Sequence, residues 1–221
     1  MKYFAFFLLA VSAGSDLAWS ESLRYSINWP SGLSLGEASI NSTKSDKGWD
    51  ITLDIDASVP GFAIRDHDEA IATADFCGAS VDKNATRGTR KTQEKITFDQ
   101  KQNVVTRETL NGGKNDTSVS SCARDALTFL QFARHELAEG RITPEQQVFF
   151  GAPYKVRFEY TGTQTIKLGD QKVEADRMLA NIRGPSAEVN VEMFFSRDAA
   201  RTPVLARVPL ALGTFTVELI R

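Results

Sequence analysis

The densest run of chemically capable side chains is Asp66-His67-Asp68-Glu69, three carboxylates around one of only two histidines in 221 residues. Carboxylates and an imidazole can hold a divalent cation or relay a proton. On a strand, however, successive side chains leave opposite faces, so Asp66 and Asp68 would point one way and His67 and Glu69 the other. Two ligands on a face do not close a site, and other strands would have to supply the rest. As an open loop, the run lacks the spacing and the turn glycine of a calcium loop. The second histidine, His135, sits between Arg134 and Glu136 in a helix-forming stretch and reads as a surface residue rather than a base. Neither Gly184-Pro185-Ser186 nor Gly78-Ala79-Ser80 continues to the closing glycine of a nucleophile elbow. Phosphate loops and dinucleotide fingerprints are absent. A carboxylate pair drawn from distant strands stays open, but 28 acidic residues name no particular pair. No catalytic residue, metal ligand or cofactor is assigned, and the balance tilts from enzymes towards binding or assembly.

The two cysteines take their meaning from the N-terminus. Lys2 precedes an apolar run from Tyr3 to Ala13, too short to span a bilayer, and Ala18-Trp19-Ser20 places small residues where a signal peptidase reads them. Residues 1–20 therefore read as a secretory signal cut before Glu21, and residues 21–221 as one exported domain in the periplasm with no transmembrane segment. In an oxidising compartment, Cys77 and Cys122 are expected to form one disulfide. A loop of that size stabilises by roughly 4 kcal/mol in the chain-entropy model. A reactive thiol is the weaker reading, because there is no CxxC and neither cysteine has a histidine near it in sequence.

The elements that would position these residues are mostly strands. Leu23, Tyr25 and Ile27 alternate with polar residues, as do Trp49, Ile51, Leu53 and Ile55. The same holds for Tyr154, Val156, Phe158 and Tyr160, for Val189, Val191, Met193 and Phe195, and for Phe215, Val217 and Leu219. Period-two alternation marks antiparallel strands with one buried face. Turn signals separate them at Pro30-Ser31-Gly32, Asp46-Lys47-Gly48, Asn111-Gly112-Gly113, Gly169-Asp170 and Gly184-Pro185. About eleven strands are expected, and a sheet of that size tends to curl or split. Asp125 to Glu139 breaks the pattern. It places Ala126, Phe129, Leu130, Ala133 and Leu137 at helical spacing, with Gly140 as its cap. The fold expected is all-β dominated with one α-helix: a large curved antiparallel sheet or half-open barrel with the helix on its concave face. Residues 111–121 read as a mobile loop. The basic stretch Lys83 to Lys95 reads as a solvated hairpin, with an anionic-lipid or partner patch as its rival.

Composition agrees with an ordinary globular domain, at 42% hydrophobic and 24% charged residues. With 26 Lys and Arg against 28 Asp and Glu, there is no basic excess for nucleic acid. Two histidines and two cysteines exclude dense zinc sites.

Several segments together resemble a bacterial exported family known as domain of unknown function 3108. They are Tyr25-Ser26-Ile27-Asn28-Trp29-Pro30-Ser31-Gly32-Leu33 with Leu35-Gly36-Glu37-Ala38, then Glu94-Lys95-Ile96-Thr97-Phe98-Asp99. Asp125-Ala126-Leu127-Thr128-Phe129-Leu130 with Arg134, Leu137 and Gly140 follows, then Phe195-Ser196-Arg197-Asp198, Arg201-Thr202-Pro203-Val204 and Leu212-Gly213-Thr214-Phe215. The resemblance implies an envelope protein of diderm bacteria and carries over no functional residue. A curved sheet around a helix is similar in outline to periplasmic lipoprotein carriers, which is an analogy of fold alone.

The function expected is a binding module for a lipid or other apolar ligand. Its cleft would be lined by Phe129, Phe132, Tyr154, Phe158, Val191 and Phe215. The alternative is a non-catalytic envelope assembly factor acting through a protein partner, and an uncharacterised hydrolase ranks third.

Overall fold

The computed structural model describes residues 19–59, 61–110, 112–210 and 213–220. Most of the expected leader lies outside these residues; Trp19 and Ser20 open the first strand. The strands of the first half are β1 (Trp19–Asn28), β2 (Ser34–Ser45), β3 (Gly48–Val59), β4 (Phe62–Ala72), β5 (Gly78–Arg87), β6 (Arg90–Asp99), β7 (Val104–Thr109) and β8 (Lys114–Ser118). After β9 (Arg124–Asp125) comes the helix α1 (Ala126–Ala138), then β10 (Gln146–Phe149), β11 (Pro153–Leu168), β12 (Gln171–Arg183), β13 (Glu188–Ser196), β14 (Pro203–Leu210) and β15 (Gly213–Leu219).

All strands form one fifteen-stranded sheet in the order β8 through β1, then β15 through β9. Every pairing is antiparallel except that of β9 with β10. The count exceeds the expected eleven because several strands carry little apolar alternation. The expected loop at 111–121 contains β8, whose five residues Lys-Asn-Asp-Thr-Ser hold no apolar side chain. An edge strand that faces water on both sides shows no hydrophobic period to read.

The sheet curls around α1 and is not closed into a barrel by strand pairing. Its seam lies where the residues before β9 meet the start of β5. There the Gly78 amide donates to the Ala123 carbonyl at 2.9 Å. The Gln100 side chain donates to the carbonyls of Gly78 and Ala123 at 2.6 and 2.9 Å, and its own carbonyl accepts from the Ala123 amide at 3.1 Å. One amide side chain thus satisfies backbone groups that a further strand pair would otherwise take. The Cys77–Cys122 disulfide, closing 45 residues, lies at the same seam, while β6, β7 and β8 run on past it.

The helix forms where its sequence predicts. Asp125 is the N-cap: its carboxylate accepts from the amides of Leu127 and Thr128 at 2.8 and 3.2 Å, and the Thr128 hydroxyl accepts from the Asp125 amide at 3.1 Å. Gly140, at φ +73°, follows the last turn. Leu127 packs with Trp49, Ile51, Val81 and Ile96 of the first half of the sheet. Phe129, Ala133 and Leu137 pack with Val148, Val156, Met178 and Phe195 of the second. Phe132 touches both clusters. The polar side of the helix is also covered: Gln131 donates to Ser42 at 2.6 Å, and Arg134 forms a two-pronged pair with Glu21 at 2.6 and 2.8 Å. A second core lies on the convex face. Phe194 and Phe195 are neighbours pointing to opposite faces, yet both are fully buried. The β11–β12 hairpin shifts register at Gly162, and its far half carries Ile166, Leu168 and Ala175 onto Phe194 and Leu205.

Candidate functional site

The strands β4 to β7 carry two different surfaces on one concave face. Towards the seam they present Ala70, Ala72, Val81, Ile96, Phe98 and Val105, all buried in the helix-side core. Further along the same strands, in the same alternation, stand Asp66 and Asp68 of β4, Lys83 and Arg87 of β5, Glu94 of β6 and Arg107 of β7. The register sets Asp68 opposite Lys83 and Lys83 opposite Glu94, a row of alternating charge next to the apolar row Ala70, Val81, Ile96. Helix α1 does not reach this part. A cavity of about 390 Å³ remains, walled across the gap by Phe150 and Gly151 of the β10–β11 turn.

The charges hold one another. Lys83 donates to Asp68 at 2.8 Å and Arg87 to Asp66 at 2.7 Å. Arg107 grips both oxygens of Glu94, from Nε at 2.9 Å and from Nη2. That hydrogen-bonded guanidinium holds the Glu94 carboxyl below the usual carboxylate range, against the opposing effect of burial. Two groups are left over: Oδ1 of Asp66 is buried with no hydrogen-bond partner, and Arg90, at the cavity edge, has no ion pair among the described residues.

The Asp66–Glu69 run thus divides as strand alternation requires. His67 lies on the convex face, its ring nitrogens 2.5 Å from Asp54 and 3.0 Å from Glu69. Those two hydrogen bonds, Asp54 first, raise its pKa. No cluster of three or more potential metal ligands forms among the described residues. His135 is exposed, its ring 5.3 Å from that of Phe76.

Of the six residues expected to line an apolar cleft, Phe129, Phe132, Phe158 and Val191 meet in the cluster around the helix. There the Phe129 and Phe158 rings pack edge to face at 5.5 Å. Tyr154 lies apart. Its ring covers Gly184, where no Cβ would fit, its edge meets Phe150 at 5.6 Å, and its hydroxyl lies 2.6 Å from Ser186 Oγ. Phe215 also lies apart, edge to face with Trp29 at 5.0 Å. The paired charges of the concave face carried no local motif. Their signal was a parity match, in which charged residues keep the inward phase of the strands that bury Ala70, Val81, Ile96 and Val105.

These features define a curled, barrel-like antiparallel sheet with a helix inside and a polar cleft beside it. The chain belongs to the family described as protein of unknown function (DUF3108), which it matches over residues 24–220. It is also similar in fold to a solved structure, the beta-barrel-like protein of domain of unknown function DUF1849 from Brucella abortus. That likeness has a TM-score of 0.63 at 6% identity and covers 90% of this chain and 95% of the other. None of the curated proteins matches. Among the described residues, no helix is long and apolar enough to cross a membrane.

Proposed function

We propose that the protein is an exported, non-catalytic binding module of the bacterial envelope, taking an amphiphile whose anionic group enters the cleft between β4–β7 and the β10–β11 turn. The observation that supports this is the division of the concave face: α1 fills the apolar half, and the half left open is lined by Lys83, Arg87, Arg90 and Arg107 against three carboxylates. Arg90, without an ion pair, is the group free to meet an anion, and Phe150, 41% exposed at the mouth, offers apolar surface to the rest of the ligand. The test is native mass spectrometry of protein gently purified from an oxidising periplasm, before and after organic extraction. A reproducible adduct that extraction removes, and that is lost in Arg90→Ala, is the expected result. A bare mass that also fails to take up dodecyl phosphate overturns the reading.

A second reading, an assembly factor acting through protein contacts, draws support from β8. This strand pairs only with β7, and its residues are almost wholly exposed. Such an edge can accept a strand from a partner. Capture of a defined envelope protein, abolished by a proline in β8, would favour it.

A further inference from the structure

The two ends of the sheet differ in their turns. Because hairpins alternate, the strand ends joined in the pairs β1–β2, β3–β4, β5–β6, β7–β8, β10–β11, β12–β13 and β14–β15 all fall at one end, the end where the cleft opens; in sequence their connections are 29–33, 60–61, 88–89, 110–113, 150–152, 184–187 and 211–212. None of these seven segments contains Asp, Glu, Lys or Arg. Of the connections at the other end, 46–47, 73–77, 100–103, 169–170 and 197–202 each carry at least one charged residue, whereas 119–123 carries none. Five of the exposed large apolar side chains stand at or beside the uncharged turns: Leu33 at 65%, Phe62 at 43%, Leu110 at 70%, Phe150 at 41% and Leu210 at 56% exposure. They are not isolated. The turns holding Leu33 and Leu210 join neighbouring strand pairs, with Pro30 packed against Gly213, and the Phe62 ring lies over Gly88.

Just behind this apolar rim, the β5–β6 hairpin sets Arg87, Arg90 and Lys91 around its tip. Arg90 and Lys91 have no ion pair among the described residues, whereas nearby Asp56, Glu108 and Glu188 are each paired, with Arg65, Lys114 and Arg183. Uncharged tips carrying leucine and phenylalanine, backed by surplus cations, match the order of layers in a lipid surface: acyl boundary first, then anionic headgroups. Exposed apolar residues also stand elsewhere, Trp19 and Ile71 towards the other end among them, so what sets the cleft end apart is the coincidence of exposed leucine and phenylalanine with uncharged turns.

We infer that this end docks reversibly on the surface of an anionic bilayer, with the turn tips at the acyl boundary and the β5–β6 cations among the headgroups. The docking stands on the turn residues and does not require the cleft to hold a ligand. If both hold, the cleft mouth faces the membrane.

The test is flotation of the exported protein with phosphatidylglycerol vesicles and with phosphatidylcholine vesicles. Binding to the first, weakened by salt and by the second lipid, is expected. Leu33→Ser and Leu210→Ser should each weaken it by about tenfold, the scale of one leucine returned to water. Ile71→Ser, which alters a half-exposed residue of β4 away from the rim, should leave binding unchanged. Unchanged thermal unfolding of all three would show that the fold is kept. Absence of vesicle binding by the unaltered protein, or equal losses from Ile71→Ser and the rim variants, overturns the inference. An extractable adduct in a protein that ignores vesicles would leave the cleft reading standing and sink this one.

Discussion

The apolar and charged halves of the concave face are built from the same four strands, and the change from one to the other is abrupt. In β4 it falls between Ala70 and Asp68, in β5 between Val81 and Lys83, in β6 between Ile96 and Glu94, and in β7 between Val105 and Arg107. Backbone geometry does not change there; side-chain chemistry does. On one side α1 seals the curl with leucine and phenylalanine. On the other, sealing would require taking Asp68, Lys83, Glu94 and Arg107 out of water, and desolvating such pairs costs more than their attraction returns unless every partner is in place. The unpaired oxygen of Asp66 shows that not every partner is. The open cleft is thus the part of the curl that an apolar helix cannot fill.

The comparison breaks most readily at the packed half. Phe129→Ala should cost about 3–5 kcal/mol in chemical denaturation, as for a buried aromatic in a close-packed core. Thr92→Ala in the open half should change stability by no more than about 0.5 kcal/mol. A small loss for Phe129→Ala would mean that the helix side holds a void able to take a ligand, and the two halves would exchange roles. Next comes the seam. Replacing Cys77 and Cys122 together by alanine should cost roughly 2–4 kcal/mol. Amide exchange should rise at the start of β5 and through β9 while β1 to β3 stay protected. Uniform loosening would show that the cystine holds the whole curl and not only its seam. Smaller again is Asp125→Ala, which removes the helix cap for about 1 kcal/mol and tests whether α1 is held by its own sequence or by its surroundings.

The helix and the seam were legible in the sequence for different reasons. Asp125 to Gly140 announces itself through spacing and caps, and the two cysteines are paired on the expectation of an exported chain. The strands β3, β11 and β13 show clean alternation because one face is apolar. By contrast, β5 and β8 hide, since their inward or outward positions are charged and the hydrophobic period vanishes. For the cleft, the same property that makes the site removes its signal: Lys83 and Arg87 look like a solvated hairpin until the register sets them inward beside Asp68 and Asp66. The aromatic list failed to single out one surface because Tyr154 and Phe215 share the inward pattern of Phe158 without sharing its place along the strand. Parity tells which face a side chain takes, whereas its height on that face depends on the pairing of strands distant in sequence. The uncharged turns at the cleft end follow the same logic, because only the alternation of hairpins gathers them.

The smallest effects separate the two faces of β4 and its neighbours by the sign of their pH dependence. Glu94 on the concave face has its pKa lowered by Arg107. A lowered folded pKa gives stability that is present above the unfolded value, about 4.3, and is lost as pH falls through the folded one. His67 on the convex face has its pKa raised by Asp54 and Glu69. Its contribution is complete below the unfolded value, about 6.5, and is lost as pH rises through the folded one. Both groups are partly solvated, so each contribution should stay below about 1 kcal/mol. Unfolding free energies measured across pH should therefore show Glu94→Gln converging on the unaltered protein at acid pH, and His67→Gln converging on it at alkaline pH. If Glu94→Gln leaves the acid limb unchanged, Arg107 does not hold Glu94 in solution. The charged row would then be a set of independently solvated side chains rather than the lining of a site.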